Sequence, residues 1–99
     1  MPNYVLAYLG GEMAAEPAEQ ERVMGLWMDW FGQLGASVVD GGAPFGASAD
    51  ADGGNSKAGL TGYSIITADS LEDACSKAKG CPILESGGSV DVYEAMPMG

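Results

Sequence analysis

This chain offers few residues for acid–base catalysis, because there is no histidine among its 99 residues. The missing imidazole excludes His-based catalytic triads, His metal ligands and the commonest general base. The candidate catalytic base is Asp40, which lies where a predicted strand gives way to a Gly-rich segment. The same position suits a turn, because an Asp carboxylate readily accepts hydrogen bonds from backbone N–H groups just beyond it. The residue types alone leave both roles open.

Aromatic residues and one lysine indicate a pocket for a small organic molecule. Pro44 and Phe45 would form a rigid apolar wall of such a pocket or plug one end of the core. Trp27 and Trp30 are three residues apart, so they share a helix face that meets either the core or a ligand. Lys57 lies in a Gly/Ser/Asn loop, where backbone N–H groups would assist anion binding unless the lysine is simply solvated. The candidate ligand-binding residues are Tyr8, Trp27, Phe45, Lys57 and Tyr63.

Familiar phosphate and metal motifs do not fit the sequence. Residues 53–57 lack the Gly-Lys-Ser/Thr order of a P-loop, and no dinucleotide-binding fingerprint opens a helix after a strand. The run at 50–55 hints at a calcium loop, but its twelfth position holds Thr61 where a bidentate Glu is required. The spacing of Cys75 and Cys81 matches no zinc motif. We therefore predict no metal, no cofactor and two free structural thiols.

The charge balance excludes further classes of partner. Fourteen acidic and 4 basic side chains give a formal net charge of −10. Nucleic acid and anionic membrane surfaces are unexpected partners, because both are bound chiefly through Lys and Arg. The sequence shows no apolar run long enough to span a bilayer and no basic leader segment. Two cysteines do not make a disulfide framework, so we expect a cytoplasmic protein with free thiols.

Hydrophobic spacing predicts one domain, residues 1–99, with the element order β-α-β-β-α-β. Strands are expected at 4–9, 36–40, 60–68 and 89–95, and helices at 16–34 and 70–79. Gly35 is expected to cap the first helix, and residues 41–59 are expected to form a long loop. The expected buried stripe of the second helix consists of Leu71, Ala74, Cys75 and Ala78.

This element order predicts a ferredoxin-like α+β fold, in which two helices cover one face of a four-stranded antiparallel sheet. Nothing in the predicted elements is left to cover the opposite sheet face. An uncovered apolar face favours self-association, so we expect a homodimer formed by sheet-to-sheet packing.

Several segments together resemble the YCII-related, or DGPF-domain, family. Residues 40–46 read Asp-Gly-Gly-Ala-Pro-Phe-Gly, similar to the Gly-Pro-Phe signature of that family. Residues 60–66 and 68–74 resemble its Gly-aromatic strand and following helix, and residues 80–82 and 87–93 resemble its ending. The resemblance covers nearly the whole chain and implies a dimeric ferredoxin-like α+β barrel.

The resemblance implies less about activity. Some members of that family look like small enzymes that act on aromatic breakdown products, and some have a His–Asp pair in the cleft that is suggested as acid–base machinery. This chain departs from them, because it has no histidine and its signature reads Gly-Gly-Ala-Pro-Phe. Asp40 therefore need not take the part of the family's aspartate.

Three hypotheses of function follow from the sequence. The first is a protein that binds a small organic ligand in a cleft between the sheet and the 41–59 loop. The second is a small lyase-like or isomerase-like enzyme acting on an aromatic-derived substrate, with Asp40 as base and Lys57 or a tyrosine as electrophile. The third is a regulatory module that meets a protein partner through its acidic surface.

Overall fold

Four antiparallel strands and two helices make up the fold of the computed structural model, which describes residues 1–11, 16–56 and 58–97. The elements are β1 (Asn3–Leu9), α1 (Pro17–Leu34), β2 (Val38–Pro44), β3 (Leu60–Thr67), α2 (Leu71–Ala78) and β4 (Ser89–Ala95). Short 3-10 turns cover Gly35–Ser37 and Pro82–Leu84. The strand order is β2-β3-β1-β4, with every pair antiparallel. The predicted ferredoxin-like arrangement is confirmed.

The core lies between the central strands and the helices. Tyr4, Leu6 and Tyr8 alternate along β1, so their side chains share one face of the sheet and all are buried. Ile66 lies opposite Tyr4 in the register and is fully buried beside them. Each such large apolar side chain stabilises the fold by roughly 1.5–3 kcal/mol through burial. Trp30 of α1 and Ala74 and Ala78 of α2 complete this cluster.

The other face of the sheet carries side chains that neither helix covers. We name it the open face and define it by Val5, Ala7, Tyr63, Ile65 and Tyr93. Val5 lies opposite both Ile65 and Tyr93, and Ala7 lies opposite Tyr63, so all five project to the same side. The side chain of Tyr93 is 59% exposed.

The second strand differs from its prediction. It begins at Val38, after a 3-10 turn, and continues to Pro44, although residues 41–44 were expected to be loop. Its pairing with β3 shifts register between Val38 and Asp40 and again between Asp40 and Ala43. Gly42 permits this bulge with φ of 77°, and a Cβ there would lie 1.7 Å from the Tyr63 carbonyl oxygen. In the sequence these glycines suggest a loop. In the structure they allow the bulged strand β2 to approach β3 closely.

The predicted start of α2 is confirmed, but the predicted set of buried residues on this helix is partly wrong. Ala74 and Ala78 are buried and Cys75 is half-buried, but the side chain of Leu71 is 51% exposed. Leu71 is the first helical residue, and the helix meets the core through its two small alanines rather than through this larger side chain. The predicted cap of α1 by Gly35 is confirmed by its N–H, which donates to the Phe31 carbonyl.

Side-chain capping fixes the start of α2. The Ser70 hydroxyl accepts a hydrogen bond from the Asp73 backbone N–H at 3.1 Å. The Asp73 carboxylate accepts one from the Asp69 N–H at 3.0 Å and pairs with the Lys77 ammonium at 3.3 Å. The Asp69 N–H, followed by Lys77, lowers the pKa of Asp73. A carboxyl group with a lowered folded pKa contributes stability above its unfolded pKa, and this contribution is lost as pH falls through the folded value.

The substitution Ser70→Ala is expected to lower the free energy of unfolding by about 1 kcal/mol, because it removes the acceptor for the Asp73 N–H. Urea unfolding followed by circular dichroism measures the loss. Ser70→Asp keeps an acceptor and should retain most of the stability. The matched control is Ser76→Ala, an exposed position in the same helix. Equal effects of the two alanine substitutions would contradict the assigned cap.

Candidate functional site

Helix α1 is fixed to the rest of the fold near one end only. Of its 18 residues, Trp30 alone is buried. The Trp30 indole N–H donates to the Lys77 carbonyl oxygen at 3.1 Å, and Phe31 and Leu34 pack against the core beside it. Val23, Met24 and Trp27, nearer the start of the helix, line a cavity between α1 and the sheet. The helix therefore roofs a space that it does not fill.

The cavity has the size and composition of a small-molecule site. Its volume is about 630 Å³, and typical ligand pockets hold roughly 300–1,000 Å³. Its walls come from the end of β1, from α1, from the bulged end of β2, from β3 and from the Pro82–Leu84 turn. None of the described residues that line it carries a charged side chain. An uncharged, largely apolar space of this size suits a small organic molecule.

Aromatic rings pack edge to face along one wall. The ring centroids of Tyr8 and Trp27 lie 5.2 Å apart at an interplanar angle of 76°. Trp27 meets Trp30 at 5.8 Å and 78°, and Phe31 meets Trp30 at 5.0 Å. The two edge-to-face pairs, Tyr8–Trp27 and Trp27–Trp30, each contribute about 0.5–1.5 kcal/mol beyond the area they bury, whereas the Trp30 and Phe31 rings are tilted at 41°. These contacts hold Trp27, which is half-buried, in a fixed orientation at the cavity wall.

A chain of buried hydroxyl groups crosses the floor of the cavity. The Tyr8 hydroxyl donates to the Ser64 hydroxyl oxygen at 2.7 Å, and the Ser64 hydroxyl donates to the Gly41 carbonyl at 2.7 Å. The carbonyl can only accept, which fixes the direction of both bonds. Burial raises the pKa of Tyr8 well above its ordinary value. The Tyr8 side chain therefore stays protonated and neutral.

Ser64 is the lining residue that the sequence analysis missed. Its side chain is fully buried on the helix-facing side of β3, between Gly62 and Ile66 in the alternation. The signal is present in the sequence, because Ser64 alternates with Tyr63, Ile65 and Thr67 and so lies on the same face of the strand as Ile66. A polar residue at a predicted inward position is a candidate site residue.

Asp40 belongs to a different cluster, which lies beside the open face. Its Oδ1 accepts a hydrogen bond from the Gly42 N–H at 2.8 Å, and its Oδ2 accepts one from the Tyr63 hydroxyl at 3.3 Å. Tyr63 also stacks on Phe45, with ring centroids 5.8 Å apart. The nearby Asp40 carboxylate raises the pKa of Tyr63. The bond to the Gly42 N–H is the turn arrangement that we considered for Asp40.

The structure brings together only some of the candidate site residues. Tyr8, Trp27, Phe45 and Tyr63 all line the cavity, and Asp40 is not among its lining residues. Lys57 lies outside the described residues.

Neither a metal cluster nor a membrane span is found in the part of the chain that the structure describes. No group of three or more Cys, Asp or Glu side chains there is arranged to hold a metal ion. The helices of residues 16–56 and 58–97 are too short or too polar to cross a bilayer.

The Cys81 thiol lies under the cavity floor, next to the Tyr8 hydroxyl. It is free and 2% exposed. Burial raises its pKa to about 11, against the smaller opposing effects of the Ile83 backbone and of the neighbouring Tyr8 side chain. A thiol that keeps its proton is a poor nucleophile, so its surroundings favour a structural role.

Comparisons with known proteins identify the fold and little else. The chain is similar in structure to 5-chloro-2-hydroxyhydroquinone dehydrochlorinase from Burkholderia phenoliruptrix, solved in complex with 2,5-dihydroxybenzoquinone. The TM-score is 0.58 and the identity 17%, over 97% of this chain and 95% of that one. No family model and no curated protein matches the sequence. At this identity the likeness establishes the shared ferredoxin-like fold.

Alkylation of the native protein with iodoacetamide is expected to modify Cys75 before Cys81. Cys75 is half-buried, whereas Cys81 is buried and has a raised pKa. Peptide mass mapping over time measures both rates. Urea-unfolded protein serves as the control and should lose the difference. Faster modification of Cys81 in the folded protein would contradict this description of the thiol.

Proposed function

We propose that this protein binds a small planar aromatic molecule in the cavity between α1 and the sheet. The observation that carries the proposal is the uncharged cavity of about 630 Å³ with Tyr8, Trp27 and Phe45 among its walls. Aromatic walls bury the faces of a planar ligand and stack against its rings at modest entropic cost. The two hydroxyl groups of the floor supply the few polar contacts that orient such a ligand.

The structural neighbour supports the chemical class of the ligand. That protein is a dehydrochlorinase of a substituted hydroquinone, and its structure contains a dihydroxybenzoquinone. Both molecules are small, planar rings that would fit the volume of the cavity described above. The resemblance to the YCII-related family, which rests on short segments along the chain, points to the same class of molecule.

Binding is favoured over catalysis by the position of the candidate base. The Asp40 carboxylate accepts hydrogen bonds from Gly42 and Tyr63 and is not among the residues that line the cavity. A general base must lie within hydrogen-bond reach of the proton that it removes. The enzyme alternative therefore requires a ligand that extends past the lining residue Tyr63 to the Asp40 carboxylate.

Removal of the Trp27 ring is the direct test of the binding proposal. Titration calorimetry with para-cresol should show saturable binding, and Trp27→Leu should weaken it by about tenfold or more through lost ring contacts. Met28→Ala is the matched control, because Met28 is the next residue of α1 and its side chain is 69% exposed. Absence of saturable binding to the unmodified protein, or equal loss in both variants, would refute the proposed site.

We also propose that two copies associate through the open face. The accessible surface of the chain is 6627 Å², whereas a compact monomer of its 10.1 kDa mass exposes about 5,300 Å². The difference of roughly 1,300 Å² exceeds the ~800 Å² that each partner buries in a standard interface. The molecule is only 18 Å thick against 43 and 39 Å in its other dimensions. Face-to-face packing of two sheets would cover Val5, Ile65 and Tyr93.

A charged side chain at Tyr93, added to Asp91 that already lies opposite Ala7 on the open face, is expected to separate the two copies. Tyr93→Glu should convert a dimer to a monomer in analytical ultracentrifugation, because it would place paired, buried charges in the interface. Met28→Glu, on the exposed side of α1, should leave the dimer intact. Higher salt should tighten the dimer, because each copy carries a formal charge of −10. A monomeric unmodified protein at micromolar concentration would refute the assembly.

A further inference from the structure

The polarity of the cavity floor constrains the ligand beyond its shape. The Tyr8 hydroxyl gives its proton to Ser64, and Ser64 gives its own to the Gly41 carbonyl. The hydroxyl of Thr61, which also lines the cavity, donates to the Gly10 carbonyl at 3.1 Å. All three protons are therefore used inside the protein. What these groups have left to offer a ligand is oxygen lone pairs.

The Tyr8 oxygen is one of these acceptors, and Tyr8 is among the residues that line the cavity. Among the described residues, its other polar neighbour is the Cys81 thiol, which is only a weak hydrogen-bond partner. A ligand hydroxyl that donates to the Tyr8 oxygen would extend the existing chain through Ser64 to Gly41. Successive hydrogen bonds that run in one direction polarise and strengthen one another in a buried site.

The electrostatics of the cavity act against charged ligands. None of its described lining residues carries a charge, and Tyr8 stays neutral because burial raises its pKa. The nearest basic residue of the described α1 segment, Arg22, is paired with Glu19 at the surface. A buried anion would thus lose its hydration without a described counter-charge, in a protein of formal charge −10.

Resting on the proposed binding function, we propose that the cavity selects an uncharged aromatic ligand that bears a hydroxyl group and donates its proton to Tyr8. Tyr8 is then the specificity-determining residue, and Ser64 is the positioning residue that holds the Tyr8 proton away from the ligand. Phenols fit this description, and aryl ethers and aryl carboxylates do not.

Three probes of nearly equal size test the inference by titration calorimetry at neutral pH: para-cresol, para-methylanisole and para-toluate. The unmodified protein should bind para-cresol roughly threefold to tenfold more tightly than the ether, the value of one neutral hydrogen bond. It should bind the carboxylate more weakly by about tenfold or more, because the charge loses its hydration. Equal affinity for all three would overturn the inference and leave the binding function standing, whereas no binding of any probe would overturn both.

Two variants separate the roles of the hydroxyl groups. Tyr8→Phe should reduce the affinity for para-cresol to that for the ether, whose own affinity should not change. Ser64→Ala frees the Tyr8 proton to be donated to the ligand, so the preference should shift towards the ether oxygen. Tyr93→Phe is the matched control, because it removes a tyrosine hydroxyl from the open face.

The same variants have outcomes that would contradict the inference. Near-ultraviolet circular dichroism confirms that the tryptophan cluster is intact in each protein. If Tyr8→Phe does not fold, Ser64→Ala still tests the inference through the expected shift of ligand preference from para-cresol towards para-methylanisole. An unchanged preference in a folded Ser64→Ala protein would overturn the role of the hydroxyl chain. A preference for para-toluate that Lys57→Met abolishes would overturn the inference and assign recognition to Lys57.

Discussion

The anchoring of α1 through Trp30 is the constraint on which the site depends. The Trp30 indole is buried and donates to the Lys77 carbonyl, which joins α1 to the end of α2. Gly80 allows this approach, because a Cβ there would lie only 3.1 Å from the indole ring. Since Trp30 is the single buried residue of α1, the earlier turns of the helix stand over the sheet without filling the space beneath them. Because Trp30 packs edge to face on Trp27, the anchored Trp30 also helps to position Trp27 at the cavity wall.

The protein has a formal net charge of −10, whereas the described residues that line its cavity carry no charge. None of the described acidic side chains is among the residues that line the cavity, and the hydroxyl groups of Tyr8, Ser64 and Thr61 donate to one another or to backbone carbonyls. A buried polar group that is fully hydrogen-bonded avoids the penalty of about 1–3 kcal/mol for an unsatisfied one. The cavity can therefore stay largely apolar while it keeps a defined hydrogen-bond direction. That direction is set by Gly41, whose carbonyl can only accept.

Much of the fold was predictable from local patterns. The strands β1 and β3, the start of α2 near Ser70 and the Gly35 stop of α1 are all decided within a few residues, and these predictions match the structure. The strand through residues 41–44 was not predictable in this way. Its glycines suit a loop equally well, and only the neighbouring Tyr63 carbonyl, with which a Cβ at Gly42 would clash, shows why they serve a strand. The predicted burial of Leu71 is wrong for a related reason, because the exposure of a side chain depends on tertiary contacts as well as on helical spacing.

The candidate site shows the same division between local and long-range information. Aromatic residue types identified Tyr8 and Trp27, which the structure places 5.2 Å apart, centroid to centroid, in one wall. The pairing of Tyr8 with Ser64 joins residues 56 positions apart, so no short motif reveals it. Asp40 attracted attention as the candidate base in a chain without histidine. The structure gives its carboxylate two partners, the Gly42 N–H two residues away and the Tyr63 hydroxyl 23 residues away, and local spacing predicts only the first of them.

The third strand links the two surfaces of the sheet. Ser64 points into the cavity, and its neighbour Tyr63 projects to the open face, where its hydroxyl meets Asp40. The bulge of β2 touches both, because Gly41 accepts from Ser64 and Gly42 lies against the Tyr63 carbonyl. A shift of this bulge would alter the cavity wall and the open face together. If two copies pack through the open face, their contact would hold Tyr63 and the bulge in place, so assembly would help to preserve the shape of the cavity.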